Sequence, residues 1–229
     1  MRVVSSKDWS AFSNTSSSVR THWLRQREAL VLSKTQPGFD RASVYKISAL
    51  LREIACGEQP QLRFLVFDFR EGGADSAMTP EGFTEMVAAN AELIIDTPVI
   101  TIAWARSLLS GLDFDFAMNC AAIVAEAGAQ FSFAGEPFDL LGLYAAVGRR
   151  IGFSKTERLI ESEHILSPGE AHDLMLVRDV VAAQPDFTGI STYLAQFDRR
   201  YNASHAIFRA QRMAEPPIDR RPIVDIARR

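Results

Sequence analysis

The sequence predicts an α/β fold with a largely parallel sheet that helices cover on both faces. Residues 62–69 and 98–104 are almost continuously apolar and are bounded by Pro or Gly, as expected of strands buried on both sides. Segments with helical spacing of apolar residues alternate with these strands along the chain. With 229 residues, 47% of them hydrophobic, the chain can bury one substantial core.

The first elements follow from local patterns of apolar and polar residues. Residues 19–23 and 29–33 predict two short strands on either side of a polar turn. Asp40 is placed to cap a helix whose apolar residues repeat at i, i+3, i+4 and i+7, and Gly57 ends that helix. The apolar residues of this helix are Val44, Ile47, Leu50, Leu51 and Ile54.

The later elements have recognisable starts. Thr79 and Pro80 open a helix, with a hydroxyl cap and a proline at the first helical position. The elements predicted after the second buried strand are a helix over residues 111–120, strands over 123–125 and 130–133, and helices over 154–163 and 167–173. Ser167 and Glu170 form a capping box at the start of the last of these helices.

The chain is predicted to form one core domain with polar or charged ends. Residues 1–18 are a polar lead-in, and residues 19–182 form the core domain. Residues 183–215 are expected to form a C-terminal helical segment. Residues 216–229 are expected to form a basic irregular tail, because three prolines there stop any helix.

Composition and charge exclude several classes of protein. The formal net charge of −3 gives no overall field that would hold a nucleic acid. The eight arginines in residues 199–229 are interpreted as a solvated helix with a frayed tail, or as an anion-facing or subunit-facing segment.

No uncharged run exceeds eleven residues, whereas a membrane span needs about 20 apolar positions. With no export signal and two cysteines, we expect a cytoplasmic protein.

Chemistry is expected at the carboxyl ends of the buried strands, where ligands bind in open α/β sheets. Glycine-containing loops follow both strands, over residues 71–75 and 107–112. Small residues let a ligand approach the backbone, and free amides at a helix start donate to a developing negative charge. These loops therefore predict an oxyanion hole made of backbone amides, with ordinary turns as the alternative.

The common metal and nucleotide motifs are missing from the sequence. There is no phosphate loop, no dinucleotide fingerprint, no His-Glu-x-x-His and no cysteine pair at metal-binding spacing. The four histidines are scattered along the chain and are interpreted as surface or structural residues. We therefore expect no metal and no permanently bound cofactor.

Several short motifs follow one another in a fixed order over residues 20–182. They are residues 98–100, the loop ending at Gly111, Cys120, residues 129–131 and 166–177, and Gly72-Gly73-Ala74-Asp75 where Ala-Gly-Ala-Asp is usual. Together they resemble the crotonase (enoyl-CoA hydratase/isomerase) superfamily. Within it, residues 120–128 and 138–140 look most like the bacterial diffusible-signal-factor synthases. The resemblance implies a crotonase/ClpP-like spiral of β-β-α units with C-terminal helices, assembled as a homo-oligomer (a trimer or a dimer of trimers).

The resemblance also implies an activity in fatty acid metabolism. The substrate would be an acyl thioester carried by coenzyme A or acyl carrier protein, with its carbonyl oxygen between two backbone amides that stabilise an enolate. Gly72 matches the first amide position and Gly111 the second. The reaction would be of enoyl hydratase, isomerase or thioesterase type. The alternative is a catalytically degraded crotonase-like protein with a binding or accessory role.

The catalytic acids depart from the pattern of the superfamily, whose hydratases use two glutamates. The first position falls on Asp113 when counted from the preceding strand and on Asp115 when counted back from Cys120. Helix residues two apart point about 200° apart, so one of the two faces the pocket, and the local pattern favours Asp115. The second position falls beside Glu136, which is either the second acid or a solvated loop charge.

A third hypothesis is a serine peptidase, because self-compartmentalising peptidases share a related spiral fold. Ser110 precedes a helix and would be the nucleophile. A histidine is needed to activate such a serine, yet no histidine lies between His22 and His164. The acyl-thioester hypothesis is therefore preferred.

Overall fold

A six-stranded sheet with helices on both of its faces organises the protein. The computed structural model describes residues 19–36, 38–70, 83–134, 139 and 141–214. The strands are β1 (Val19–Leu24), β2 (Ala29–Lys34), β3 (Phe64–Phe69), β4 (Ile100–Ala105), β5 (Leu108–Leu109), β6 (Ala122–Glu126), β7 (Gln130–Phe131) and β8 (Asp179–Val181). The helices are α1 (Arg41–Ala55), α2 (Phe83–Asp96), α3 (Gly111–Met118), α4 (Leu143–Ile151), α5 (Phe153–Glu161), α6 (Pro168–Asp173), α7 (Thr188–Ala195) and α8 (Tyr201–Ala214).

The strand order of the main sheet is β1-β2-β3-β4-β6-β8. β1 and β2 pair antiparallel, and the other neighbouring strands of this sheet pair parallel. β5 and β7 form a separate two-stranded parallel sheet. Parallel pairing places the ends of five strands side by side at what we call the carboxyl edge. The residues that end these strands are Lys34, Phe69, Ala105, Glu126 and Val181.

Side chains from the two faces of the sheet enter two separate cores. Leu65 and Phe67 of β3 join the larger core together with residues of α1, α2 and α3. Phe64 and Val66 of the same strand join the smaller core, which α7 and α8 cover. The alternation follows from the period of two in a β-strand. The predicted largely parallel sheet, covered on both faces, is therefore confirmed.

Most elements predicted from local patterns are present. The two N-terminal strands form a hairpin whose turn is a short 3₁₀ helix over Arg25–Arg27. The Asp40 carboxylate accepts a hydrogen bond from the Ser43 amide at 2.7 Å, and the Ser43 hydroxyl accepts one from the Asp40 amide at 3.0 Å. α1 therefore begins with a capping box, which satisfies two backbone amides at its start.

Some elements were not predicted, and others end earlier than predicted. α4 was missed because the residue before it is Gly142, which gives no capping signal. The Asp139 carboxylate instead accepts a hydrogen bond from the Tyr144 amide in its first turn, at 2.7 Å. β5 and β8 were missed because strands of two or three residues carry too little pattern. The strand predicted over residues 130–133 ends at Phe131. The predicted helix start at Thr79 and Pro80 lies outside the described residues.

The C-terminal helices cover the smaller core. Ile190 and Leu194 of α7 are fully buried in it, and Phe208 of α8 packs against it. The Tyr201 ring at the start of α8 packs edge-on against Phe64 of β3, with ring centroids 5.3 Å apart. The predicted tail over residues 216–229 lies outside the described ranges. Among the helices that the structure describes, none is both long and apolar enough to cross a membrane.

Glu170→Gln is expected to remove a pH-dependent contribution to stability at the start of α6. Hydrogen bonds from the Ser167 amide and hydroxyl and from His164 lower the pKa of Glu170 to about 2. Because folding lowers this pKa, the carboxylate stabilises the fold above its ordinary pKa of 4.5, and the contribution disappears as the pH falls through about 2. Urea unfolding of both proteins should therefore show a difference that is largest near neutral pH and shrinks in acid. A pH-independent difference would contradict this prediction.

Candidate functional site

The carboxyl edge of the sheet brings the ends of β2 and β3 close to α3, because Lys34 contacts both Phe69 and Asp113. Lys34 ends β2 and Phe69 ends β3, and the predicted loop with Gly72 follows β3. α3 begins at Gly111, a few residues after β4 ends. Gly72 and Glu136 lie outside the described residues, whereas Gly111, Asp113 and Asp115 lie within them.

The start of α3 has the features of an anion-binding turn. Gly111 has a φ of +50°, in the left-handed region that favours glycine. Ser110 precedes it in an extended conformation, and the Ser110 side chain makes no capping hydrogen bond. The amides of the first turn of a helix have no partners inside the helix. They therefore can donate to an oxygen atom of a ligand.

Asp113 lies in the first turn of α3 and forms a buried ion pair with Lys34. The Lys34 Nζ atom lies 2.6 Å from Asp113 Oδ1 and 2.5 Å from Asp113 Oδ2. The side chains are only 6% and 1% exposed. The ammonium also lies over the rings of Phe39 and Phe69, 4.8 and 5.3 Å from their centroids. Burial raises the pKa of Asp113, and the positive charge of Lys34 opposes that rise.

Asp115 points to a different part of the chain, as expected for helix residues two positions apart. Its side chain is fully buried. Its Oδ2 atom accepts a hydrogen bond from the Leu141 amide at 2.5 Å. Leu141 lies five residues after Glu136. The structure therefore places Asp115 against Leu141, just before α4, and Asp113 against Lys34 of β2.

A buried charged cluster on the other face of the sheet was missed at the sequence level. Arg106 follows β4, and its Nε atom lies 2.9 Å from Glu126 Oε1. Its Nη1 atom lies 3.7 Å from Asp68 Oδ2, which also accepts a hydrogen bond from the Ser33 hydroxyl at 2.8 Å. Burial raises the pKa of Asp68. We call Arg106, Asp68, Glu126 and Ser33 the Arg106 network.

The Arg106 network contacts the loop between β8 and α7. Arg106 lies over the Trp104 ring, 4.1 Å from its centroid, and donates to the Gln184 carbonyl. Arg70 donates to the neighbouring Pro185 carbonyl at 3.2 Å. One sequence signal pointed to this network: Asp68 is a charged residue within an otherwise apolar strand.

Among the residues that the structure describes, no group of three or more His, Cys, Asp or Glu side chains is arranged to hold a metal ion.

Comparison with known proteins identifies the fold. No family model matches the sequence, and no curated protein matches it. An enoyl-CoA hydratase from Bacillus halodurans is 16% identical over 93% of this chain and 91% of its own, with a TM-score of 0.67. An enoyl-CoA hydratase/isomerase from Marinobacter aquaeolei is 19% identical over 92% and 88%, with a TM-score of 0.65.

A third solved structure, of a Pseudomonas aeruginosa protein, is 20% identical over 94% of this chain and 99% of its own, with a TM-score of 0.72. At such identities the similarity shows the fold. The chain therefore has the crotonase fold, as the sequence resemblance implied. The narrower resemblance to diffusible-signal-factor synthases stays a prediction.

Proposed function

We propose that this chain, which has the fold of enoyl-CoA hydratase/isomerase proteins, acts on acyl thioesters of coenzyme A or acyl carrier protein. The reaction is of enoyl hydratase, isomerase or thioesterase type and proceeds through an oxyanion held by backbone amides. Coenzyme A or the carrier protein arrives with the substrate. The protein works in the cytoplasm as a homo-oligomer, a trimer or a dimer of trimers, as the resemblance implies.

The observation that carries this proposal is the uncapped start of α3 at the carboxyl edge. Gly111 adopts a positive φ there, and the Ser110 side chain does not occupy the amides of the first turn. The Gly111 amide is the proposed second donor to the thioester oxygen. By the resemblance, Gly72 supplies the first. Two such donors stabilise an enolate or a tetrahedral oxyanion more than they stabilise the neutral thioester.

Proton transfer is assigned to Asp115 and Glu136. The hydrogen bond from the Leu141 amide orients the Asp115 carboxylate. In the sequence, Leu141 lies five residues after Glu136. In hydration, one acid activates water and the other delivers a proton to the carbon next to the carbonyl group. In isomerisation, the same acids move a proton along the acyl chain.

A panel of substrates tests the proposal. The protein is incubated with medium- and long-chain enoyl-CoA and 3-hydroxyacyl-CoA, and with the corresponding acyl-carrier-protein thioesters. We expect turnover, release of free thiol, or exchange of deuterium from solvent into the carbon next to the thioester. If none of these occurs with any substrate, the proposed enzymatic function is wrong.

A binding or accessory role is the second candidate. It is favoured by the complete burial of Asp115 and by the short hydrogen bond that this carboxylate accepts from the backbone. A binding protein would bind acyl-CoA in calorimetry without turnover or exchange. Its cellular role would also survive substitution of Asp115 and Glu136.

A further inference from the structure

We propose that the junction of α4 and α5 is the docking surface for an acidic carrier protein that delivers the acyl thioester. This inference rests on the proposed function and selects acyl carrier protein, rather than free coenzyme A, as the carrier. We call this surface the α4–α5 patch. It consists of exposed basic and apolar side chains, namely Arg149, Arg150, Phe153, Lys155, Arg158 and Met175.

The first observation is the charge of the α4–α5 patch. Residues 149–158 carry four basic side chains and one acidic side chain, although the whole chain has a net charge of −3. Among the residues that the structure describes, none forms an ion pair with Arg149, Lys155 or Arg158. Positive charge that the chain itself does not neutralise favours an acidic partner.

The second observation is a phenylalanine held at the surface. Phe153 is 49% exposed. A Cβ atom at Gly148 would lie only 2.4 Å from the Phe153 ring, so the ring rests directly on the backbone of α4. The centroid of the ring also lies 5.5 Å from that of Tyr144. The ring is therefore held in place while half of its surface stays available to a partner.

Met175 adds a second apolar contact point. It is 78% exposed and has a φ of +59°, which a bulky side chain rarely adopts. Arg150 donates to the neighbouring Leu176 carbonyl at 3.4 Å, and this contact brings Met175 to the end of α4. Methionine adapts its shape and is common at protein-binding surfaces. Apolar side chains among cations match a protein whose own surface is both apolar and acidic.

The shape of the patch favours a protein over the nucleotide of coenzyme A. A small ligand needs a concave site that buries most of its surface. The patch instead lies on the outer side of two consecutive helices, whose inner sides pack on the larger core. Its cations are spread over both helices, with Arg149 in the last turn of α4 and Lys155 and Arg158 about one turn apart on α5. Such an outward-facing surface fits the acidic face of a protein domain.

The α4–α5 patch lies one helix length from the proposed acid. The Leu141 amide, just before α4, donates to Asp115, whereas Arg149 and Arg150 lie at the other end of α4. The nine residues of α4 span about 14 Å. A carrier protein docked at the far end can therefore extend its thioester along α4 toward Asp115.

The test compares thioesters of the same acyl chain on acyl carrier protein and on coenzyme A. Arg149→Glu/Lys155→Glu reverses two charges of the patch, and Phe153→Ala removes its ring. One readout is kcat/KM with each thioester. The other is the Kd of the holo acyl carrier protein, measured by fluorescence anisotropy. Circular dichroism checks that each variant is folded.

Two control variants match these changes. Arg199→Glu/Arg200→Glu reverses two exposed arginines before α8, on the opposite face of the sheet, and changes the net charge by the same amount. Tyr45→Ala removes an exposed ring of α1. Both controls should bind the carrier protein as the wild type does.

We expect the wild type to use the carrier thioester with the higher kcat/KM. Arg149→Glu/Lys155→Glu should raise the Kd and lower this kcat/KM on the order of 10-fold, because like charges then face the acidic partner. That loss should be largest at low ionic strength, since salt screens exposed charges. Phe153→Ala should raise the Kd on the order of 10-fold at every salt concentration. The coenzyme A thioester should be affected less by either change.

The outcomes separate this inference from the proposed function. If the wild type turns over coenzyme A thioesters but neither binds the carrier protein nor uses its thioesters, the inference alone is wrong. It is also wrong if the patch variants bind as tightly as the wild type, or if Arg199→Glu/Arg200→Glu weakens binding instead. If the carrier protein binds at the patch but no thioester is turned over, the docking surface is supported and the proposed enzymatic function is wrong.

Discussion

Arg106→Met is expected to lower the free energy of unfolding by about 3–5 kcal/mol, the usual cost of removing one partner from a buried ion pair. Asp68 and Glu126 would remain buried without their cation, since the side chains of the three residues are at most 7% exposed. The carbonyl of Gln184 would also lose its donor. Urea unfolding at neutral pH, followed by circular dichroism, measures the change.

Two comparisons make the Arg106 prediction specific. Arg63→Met breaks an exposed ion pair with Glu28, whose side chains are 44% and 42% exposed, and should cost about 1 kcal/mol or less. Adding Asp68→Asn and Glu126→Gln to Arg106→Met should restore part of the lost stability, because no uncompensated charge then remains. Equal losses for Arg106→Met and Arg63→Met would contradict the assignment of a buried network.

The sign of the pH dependence follows from the same contacts. Burial already raises the pKa of Asp68 in the wild type. An acid whose pKa is raised on folding destabilises the fold as the pH rises through that pKa. Without Arg106 the rise in pKa is larger. The stability deficit of Arg106→Met should therefore grow from acidic to neutral pH.

The parts of the fold that could be predicted are those encoded by neighbouring residues. The strand of β3 is apolar throughout apart from Asp68, and the capping boxes at Asp40 and Ser167 lie within four-residue windows. The crotonase fold was expected from the resemblance to that superfamily, which depends on several short motifs in a fixed order. α4 was missed because Gly142 gives no capping signal at its start.

The ion pairs of the site could not be predicted, because their partners are far apart in the sequence. Lys34 and Asp113 are 79 residues apart, and only the parallel pairing of β2 with β3 and the placement of α3 bring them together. Sequence counting likewise left Asp113 and Asp115 as alternatives. The structure shows that they contact different elements, and this difference makes their roles separately testable.

Asp115→Asn is expected to reduce kcat by about 10²- to 10⁴-fold, the usual contribution of a positioned acid or base. The amide oxygen of asparagine can still accept the hydrogen bond from Leu141, so the stability should change little. The variant therefore removes the group that could take up or release a proton, and it keeps the local geometry. Steady-state kinetics, together with urea unfolding of the same sample, separates the two effects.

Asp115→Ala is the structural counterpart of this variant. It removes the acceptor of the buried Leu141 amide, which should cost about 1–3 kcal/mol in unfolding free energy in addition to the lost activity. Asp198→Asn, at a half-exposed aspartate, should change neither quantity appreciably. If Asp115→Asn keeps the full kcat while Asp115→Ala unfolds more easily, Asp115 anchors the segment before α4 and transfers no proton. The acid would then have to be sought at Glu136 or Asp113.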